Sequence, residues 1–149
     1  AVFNLQQNLE QELDAQFEHA DKYEHSFAFA KLAENVERGL CFDFTARSVS
    51  MIYVNDEKLT YKNTFETENA EEFNYYLLLV VSQLGIDAEQ TPVFISGIIN
   101  EGDDKYQILN KYFSSITFSE PSNKDLDCTI LEDMPTYYYS NLLALDLCV

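Results

Sequence analysis

The residues of this chain that could do chemistry are mostly carboxylates. Asp43 falls near the end of an alternating apolar run, just before the polar turn Thr45-Ala46-Arg47-Ser48. An Asp in that position can hold a metal-bound water or orient a phosphate. It can equally accept hydrogen bonds from the turn, and this plainer role takes the larger share of the expectation. Glu18-His19 and Glu24-His25 pair acid with imidazole, but there is no i, i+4 spacing and no Cys nearby. Solvated or locally bonded histidines are expected rather than metal ligands. Cys41 has no His close in sequence to serve as its base, so a buried structural thiol is expected. Tyr137, Tyr138 and Tyr139 lead into an apolar tail of Leu142, Leu143, Leu145, Leu147 and Val149. The tail reads equally as a partner surface or as a helix docked by one face.

Composition narrows the field. The chain has 149 residues, 26 of them acidic and 9 basic, for a net charge of −17. Such a surface repels nucleic acid and anionic lipid, whose binding depends on Lys and Arg, so no nucleic-acid partner is expected. The three cysteines, Cys41, Cys128 and Cys148, are scattered without a CxxC pair, which fits a reducing, cytoplasmic setting. The longest apolar run, residues 75–81, is too short to span a bilayer, so no membrane insertion is expected. The chain opens at Ala1-Val2-Phe3 without Met. One domain over residues 1–149, or a fragment of a longer two-lobe protein, is therefore expected.

The elements that must position these residues follow from periodicity. Asn4 can cap a helix carrying Leu5, Leu9, Leu13 and Phe17, and a short strand is expected at 21–25. Ser26 can cap a second helix with Phe29, Leu32, Ala33 and Val36 on one face and Gly39 as its stop. Three alternating runs follow: Leu40, Phe42, Phe44; then Val49, Met51, Tyr53; then Leu59, Tyr61, Asn63, Phe65. They predict a meander with one face on the core, turning at Ala46-Arg47 and at 55–58. Asn69 and Glu72 form a capping box for a helix whose stripe is Phe73, Tyr76, Leu77, Val80, Val81 and Leu84, stopped by Gly85. Residues 92–96 suit a buried parallel strand, and Asp103 or Asp104 can cap the helix around Leu109. Ile116 and Phe118 mark a fifth strand, 122–127 a loop, and 128–131 a short strand. Pro135 stands at the first turn of a helix over 136–147. Three antiparallel strands followed by strands reached through helices define an α/β, ribonuclease-H-like order.

A family resemblance follows from these segments. Residues 40–58, "LCFDFTARSVSMIYVNDEK", resemble the second phosphate-binding hairpin of actin-like ATPases. "FISGIINE", residues 94–101, is similar to their adenosine-binding glycine turn. Residues 4–38 resemble the start of the second lobe in the cell-division and pilus-assembly branches. The run "EEFNYYLLLVVSQLGID…FISG…LNKYFSSI" resembles the C-terminal half of uncharacterised bacterial proteins with an actin-like ATPase fold. The resemblance implies degenerate nucleotide-site positions at Asp43, Thr45, Ser48, Ser96 and Gly97. It also implies that a Cβ at Thr45 and Ala46, and Ile98 in place of a glycine, crowd phosphate and adenosine.

The expectation for function is a non-catalytic interaction or scaffold module, with a protein partner, the missing first lobe or a further copy of itself as its target. No cofactor is expected, and no catalytic or metal-binding residue. The alternative is a nucleotide-binding or ATPase protein that needs its first lobe, which would bring ATP and Mg²⁺. A third option casts Asp43, Glu72 and Asp103 or Asp104 as the two-metal carboxylates of a ribonuclease-H-like nuclease. The capping role of Glu72 and the net charge weigh against it.

Overall fold

The computed structural model describes residues 6–18, 25–120 and 134–145. The expected strand at 128–131, the loop at 122–127, the cap Asn4, His19, Cys128 and Cys148 lie outside the described residues.

The meander forms as its alternation requires. β1 (Gly39–Phe44), β2 (Ser48–Asn55) and β3 (Lys58–Glu66) pair antiparallel, and β4 (Val93–Gly97) and β5 (Ile116–Phe118) add parallel strands on the other side of β1. The sheet order is β3-β2-β1-β4-β5. The β2–β3 turn places Asp56 and Glu57 at φ 50° and 60°, the left-handed pair that a two-residue hairpin demands, without any glycine.

One face of the sheet carries the main core. Leu40, Phe42, Phe44, Val49, Met51, Val93 and Ile95 point to it, and α3 (Ala70–Leu84) lays Phe73, Leu77 and Val80 onto them. Phe73 meets Phe42 and Phe44 edge-on at 6.1 and 5.4 Å, a favoured aromatic geometry. α4 (Asp104–Tyr112) adds Leu109 to the same core. Asn69 caps α3 by accepting from Glu72 N at 2.9 Å. The return bond of the capping box falls one residue early: Glu72 Oε2 accepts from Glu68 N at 2.8 Å, not from Asn69. Gly85 ends α3 in the left-handed conformation, as expected.

The other face is covered as well. β1 is buried along its whole length, where a one-sided strand was expected. The cause is α2 (His25–Ala33), which packs Phe29 and Ala33, with Val36 beyond its end, against Cys41, Ile52 and Val54. Ser26 lies inside the first turn of α2 and receives a hydrogen bond from Lys62 Nζ, rather than capping the helix. Gly39 opens β1 rather than closing α2, and a Cβ there would meet Phe94 and Pro92 O. His25 begins α2, so the strand expected at 21–25 does not reach it.

Two further expectations change. α1 (Gln7–Gln16) starts after Gln6 without a side-chain cap and buries nothing, so Leu9 and Phe17 are exposed. The terminal helix begins as a 3-10 turn, Thr136–Tyr139, before α5 (Ser140–Leu143), and Pro135 is its cap residue. No helix among the described residues is long and apolar enough to cross a membrane.

Candidate functional site

β1 and β4 run parallel and end side by side at Phe44 and Gly97. Ligands of open α/β sheets bind beyond the carboxyl ends of such strands. The residues singled out from the sequence converge here. Asp43 and Ser96 are register partners and both point to the α2 face. Asp43 is buried; its Oδ1 accepts from Ser96 Oγ and its Oδ2 from Asn141 Nδ2, each at 2.9 Å. Ser96 Oγ also lies 3.3 Å from Phe42 O. The carboxylate is thus an internal tie between two strands and α5, not a group facing open solvent.

The turn after β1 is closed by its own side chains. Thr45 N donates to Ser48 O at 2.9 Å, and Thr45 Oγ1 accepts from Ser48 N at 3.0 Å and Arg47 N at 3.3 Å. The two hydroxyls, Thr45 Oγ1 and Ser48 Oγ, stand 2.8 Å apart. Successive backbone amides of a turn make a nest for an anion when they are free to point at one. Here a threonine hydroxyl occupies that position, so a phosphate oxygen would have to displace hydrogen bonds already formed.

Gly97 has a structural reason to be glycine. Its φ is +83°, and a Cβ would lie 2.1 Å from Phe44 O. The backbone turns hard against β1 at this point, with Ile98 N donating to Phe44 O at 2.8 Å. Ile98 follows with its side chain 57% exposed.

Two clefts flank this crossing and share Thr45 and Ile98 as a common wall. The larger, about 470 Å³, lies on the α2–α5 side and is mainly apolar, lined by Ala28, Phe44, Tyr138, Leu142 and Leu145 with Asp43 and Asn141 at its base. The smaller, about 310 Å³, lies between the starts of α3 and α4, against Ala70, Asp103, Asp104 and Lys105. Lys105 Nζ donates to the buried Thr67 Oγ1 at 2.9 Å. Partial burial lowers the Lys105 pKa, and Glu72 pulls it back upward. Asp103 Oδ2 accepts from Asn100 N at 2.8 Å, so its carboxylate closes the loop before α4 rather than capping the helix by a side-chain bond.

Of the carboxylates considered for a two-metal site, Asp43, Glu72 and Asp103 are therefore committed to separate tasks. Among the described residues no three His, Cys, Asp or Glu side chains converge as metal ligands. Cys41 lies under α2, where burial pushes its thiol from 9.0 up to about 12. Three contributors escaped the reading of the sequence: Asn141, Lys105 and Thr67. Asn141 is 98 positions from Asp43, and nothing local marks the pair. Lys105 did leave a signal, as a cation just after Asp103 and Asp104 in a strongly acidic chain.

The strand order, the closed hairpin turn and the β4 crossing together define a protein with an actin-like ATPase fold, of the ribonuclease-H-like kind. The chain is similar to a Bacteroides thetaiotaomicron protein with an actin-like ATPase fold and unknown function, at 17% identity and a TM-score of 0.74, over 97% of this chain and 52% of that one. It is also similar to the AlfA filament bound to AMPPNP (15% identity, TM-score 0.53, 80% of this chain and 41% of that one). A filament structure of AlfA from a B. subtilis plasmid matches at 15% identity and a TM-score of 0.50, over 80% of this chain and 42% of that one. The chain thus spans about half the length of the solved proteins it resembles. None of the curated proteins is significantly similar to it. Residues 1–116 match the family described as protein of unknown function DUF3822, and the chain belongs to that family.

Proposed function

We propose that this domain is the second lobe of a two-lobe actin-like protein and works by protein–protein contact, without turning over nucleotide on its own. The observation that carries this reading is the Thr45 hydroxyl, which takes the Arg47 and Ser48 amides that a phosphate would need. Gly97 adds support, since its backbone freedom is used to clear Phe44 O. Contact would run through the apolar rim of the larger cleft, where Ile98, Leu142 and Leu145 are all exposed. Exposed apolar groups around a concave site are a common mark of a contact surface. The setting that suits the buried Cys41 thiol is a reducing cytoplasm.

Thermal denaturation with and without Mg-ATP tests the catalytic half of the proposal. A ligand at a hundred times its Kd stabilises a domain by about 2.7 kcal/mol, a shift of several degrees at this size. No shift is expected at millimolar Mg-ATP; a saturable rise would overturn the reading. Sedimentation velocity over a wide concentration range tests the contact half. Self-association that Leu142→Glu abolishes is expected, and a strict monomer unaffected by that change would count against contact through this rim.

One observation favours a second reading, a nucleotide-binding protein completed by another lobe. The smaller cleft sets Lys105 between the starts of two helices, at the carboxyl end of β4. Helix starts and a cation both favour an anion. Among the fold relatives, the AlfA filament is bound to AMPPNP. Mg-ATP binding by the two-lobe protein, lost on Lys105→Ala, would select this reading.

A further inference from the structure

Residues 134–145 lie across the carboxyl ends of β4 and β5 and are tied down by polar contacts from Tyr137, Ser140 and Asn141. The Tyr137 ring packs on Phe118 with centroids 4.1 Å apart, and its hydroxyl lies 3.3 Å from Asn100 Oδ1. Ser140, fully buried, donates to Ser119 O at 2.6 Å. Asn141 Nδ2 donates to Asp43 Oδ2 at 2.9 Å. Only Ala144 adds a buried apolar anchor, while Leu142 is 61% exposed and Leu145 42%. The apolar cleft of about 470 Å³ remains between this segment and the sheet.

That combination is unusual for an element of a core. A 3-10 turn followed by a single α-helical turn has no helical stability of its own, since nucleation is not repaid by length. Its form depends on docking, and the docking rests on the Tyr137–Phe118 ring contact, Ala144 and a few hydrogen bonds, beside a partly open cleft. Elements with few buried apolar contacts open locally, well below the free energy of global unfolding. Thr45 and Ile98 wall both the larger and the smaller cleft. Tyr138, Asn141, Leu142 and Leu145 line only the larger cleft, so their removal would open that cleft and leave the Thr45–Ile98 wall standing.

We propose that residues 134–145 are a releasable strap over the sheet, latched by the Asn141–Asp43 hydrogen bond, and that its release opens the larger cleft and exposes Asp43 and Ser96.

Hydrogen–deuterium exchange read by mass spectrometry on the intact chain tests it. The strap amides should exchange at least about tenfold faster than those of α3 in the unaltered protein. Asn141→Asp sets a second carboxylate against Asp43, and should speed strap exchange by about another tenfold while β1 and α3 stay protected. Combining it with Asp43→Asn restores a carboxamide–carboxylate pair, with Ser96 still able to donate, and should return exchange to the original rate. The proposal is overturned if Asn141→Asp leaves the strap unchanged, if it loosens strap, β1 and α3 together, or if the double variant gives no recovery. Should Asn141→Asp not fold, Asn141→Ala serves in its place: loosening confined to the strap supports the latch, and uniform loosening or none refutes it.

Discussion

The two faces of the central sheet are built on different principles. On the α3–α4 face, Phe42, Phe44, Met51 and Ile95 meet Phe73, Leu77 and Leu109, all of them fully buried apolar groups. On the α2–α5 face the same strands bury Asp43, Ser50 and Ser96 alongside Cys41 and Ile52, under two short helices. Apolar packing gives the first face its stability without needing partners in particular directions. The polar row on the second face is stable only while each group keeps a hydrogen bond, and this makes it the face where a ligand or a moving segment can change the energetics. One strand, β1, carries both, because alternation sends Phe42 and Phe44 one way and Asp43 the other.

The comparison breaks most visibly at Phe73. Phe73→Ala should cost about 3–5 kcal/mol in urea unfolding and loosen the whole sheet. Phe29→Ala, on the opposite face, should fall at or below the low end of that range, with exchange rising mainly in α2, since the short helix can settle into the space. Equal losses with identical exchange patterns would remove the distinction between the faces. Gly97→Ala comes close behind, at about 3 kcal/mol, because the added methyl would sit 2.1 Å from the backbone Phe44 O on a left-handed backbone, so the strand itself must shift. Asn69→Ala should cost about 1 kcal/mol by removing the cap on Glu72 N.

Cys41 sharpens the comparison through pH. Burial raises its thiol from 9.0 to about 12 in the folded chain, so folded and unfolded forms are both protonated below 9.0, where its contribution is fully present and does not vary with pH. As pH climbs from 9.0 toward about 12, only the unfolded thiol ionises, so the stability it contributes is progressively lost. Replacing Cys41 with Ala should flatten that part of the stability profile. In a Cys128→Ser/Cys148→Ser background, the native chain should react with a thiol reagent only through opening of the α2 face.

Much of the fold was legible because it rests on local periodicity. The alternation of residues 40–65, the stripe from Phe73 to Leu84 and the stop at Gly85 are each set by neighbours in sequence. The burial of β1 on both sides was not legible, since it depends on α2 returning over the sheet. Gly39 and Ser26 were misjudged for a related reason: each looked like a helix boundary, and each is used in a tertiary contact instead. At the site, Asp43, Thr45, Ser48, Ser96 and Gly97 do gather at one end of β1 and β4. Their partners Asn141 and Lys105 come from distant elements, and no spacing rule connects them to the hairpin.

The central claim is that the turn after β1 is occupied by its own Thr45 hydroxyl. The most direct measurement follows the Arg47 and Ser48 amides by ¹H–¹⁵N NMR during a Mg-ATP titration, in the unaltered chain and in Thr45→Gly. The account predicts amide positions that stay put up to millimolar nucleotide in the unaltered chain, and that move in Thr45→Gly because the two N–H groups are released. Saturable shifts of both amides in the unaltered chain would contradict it.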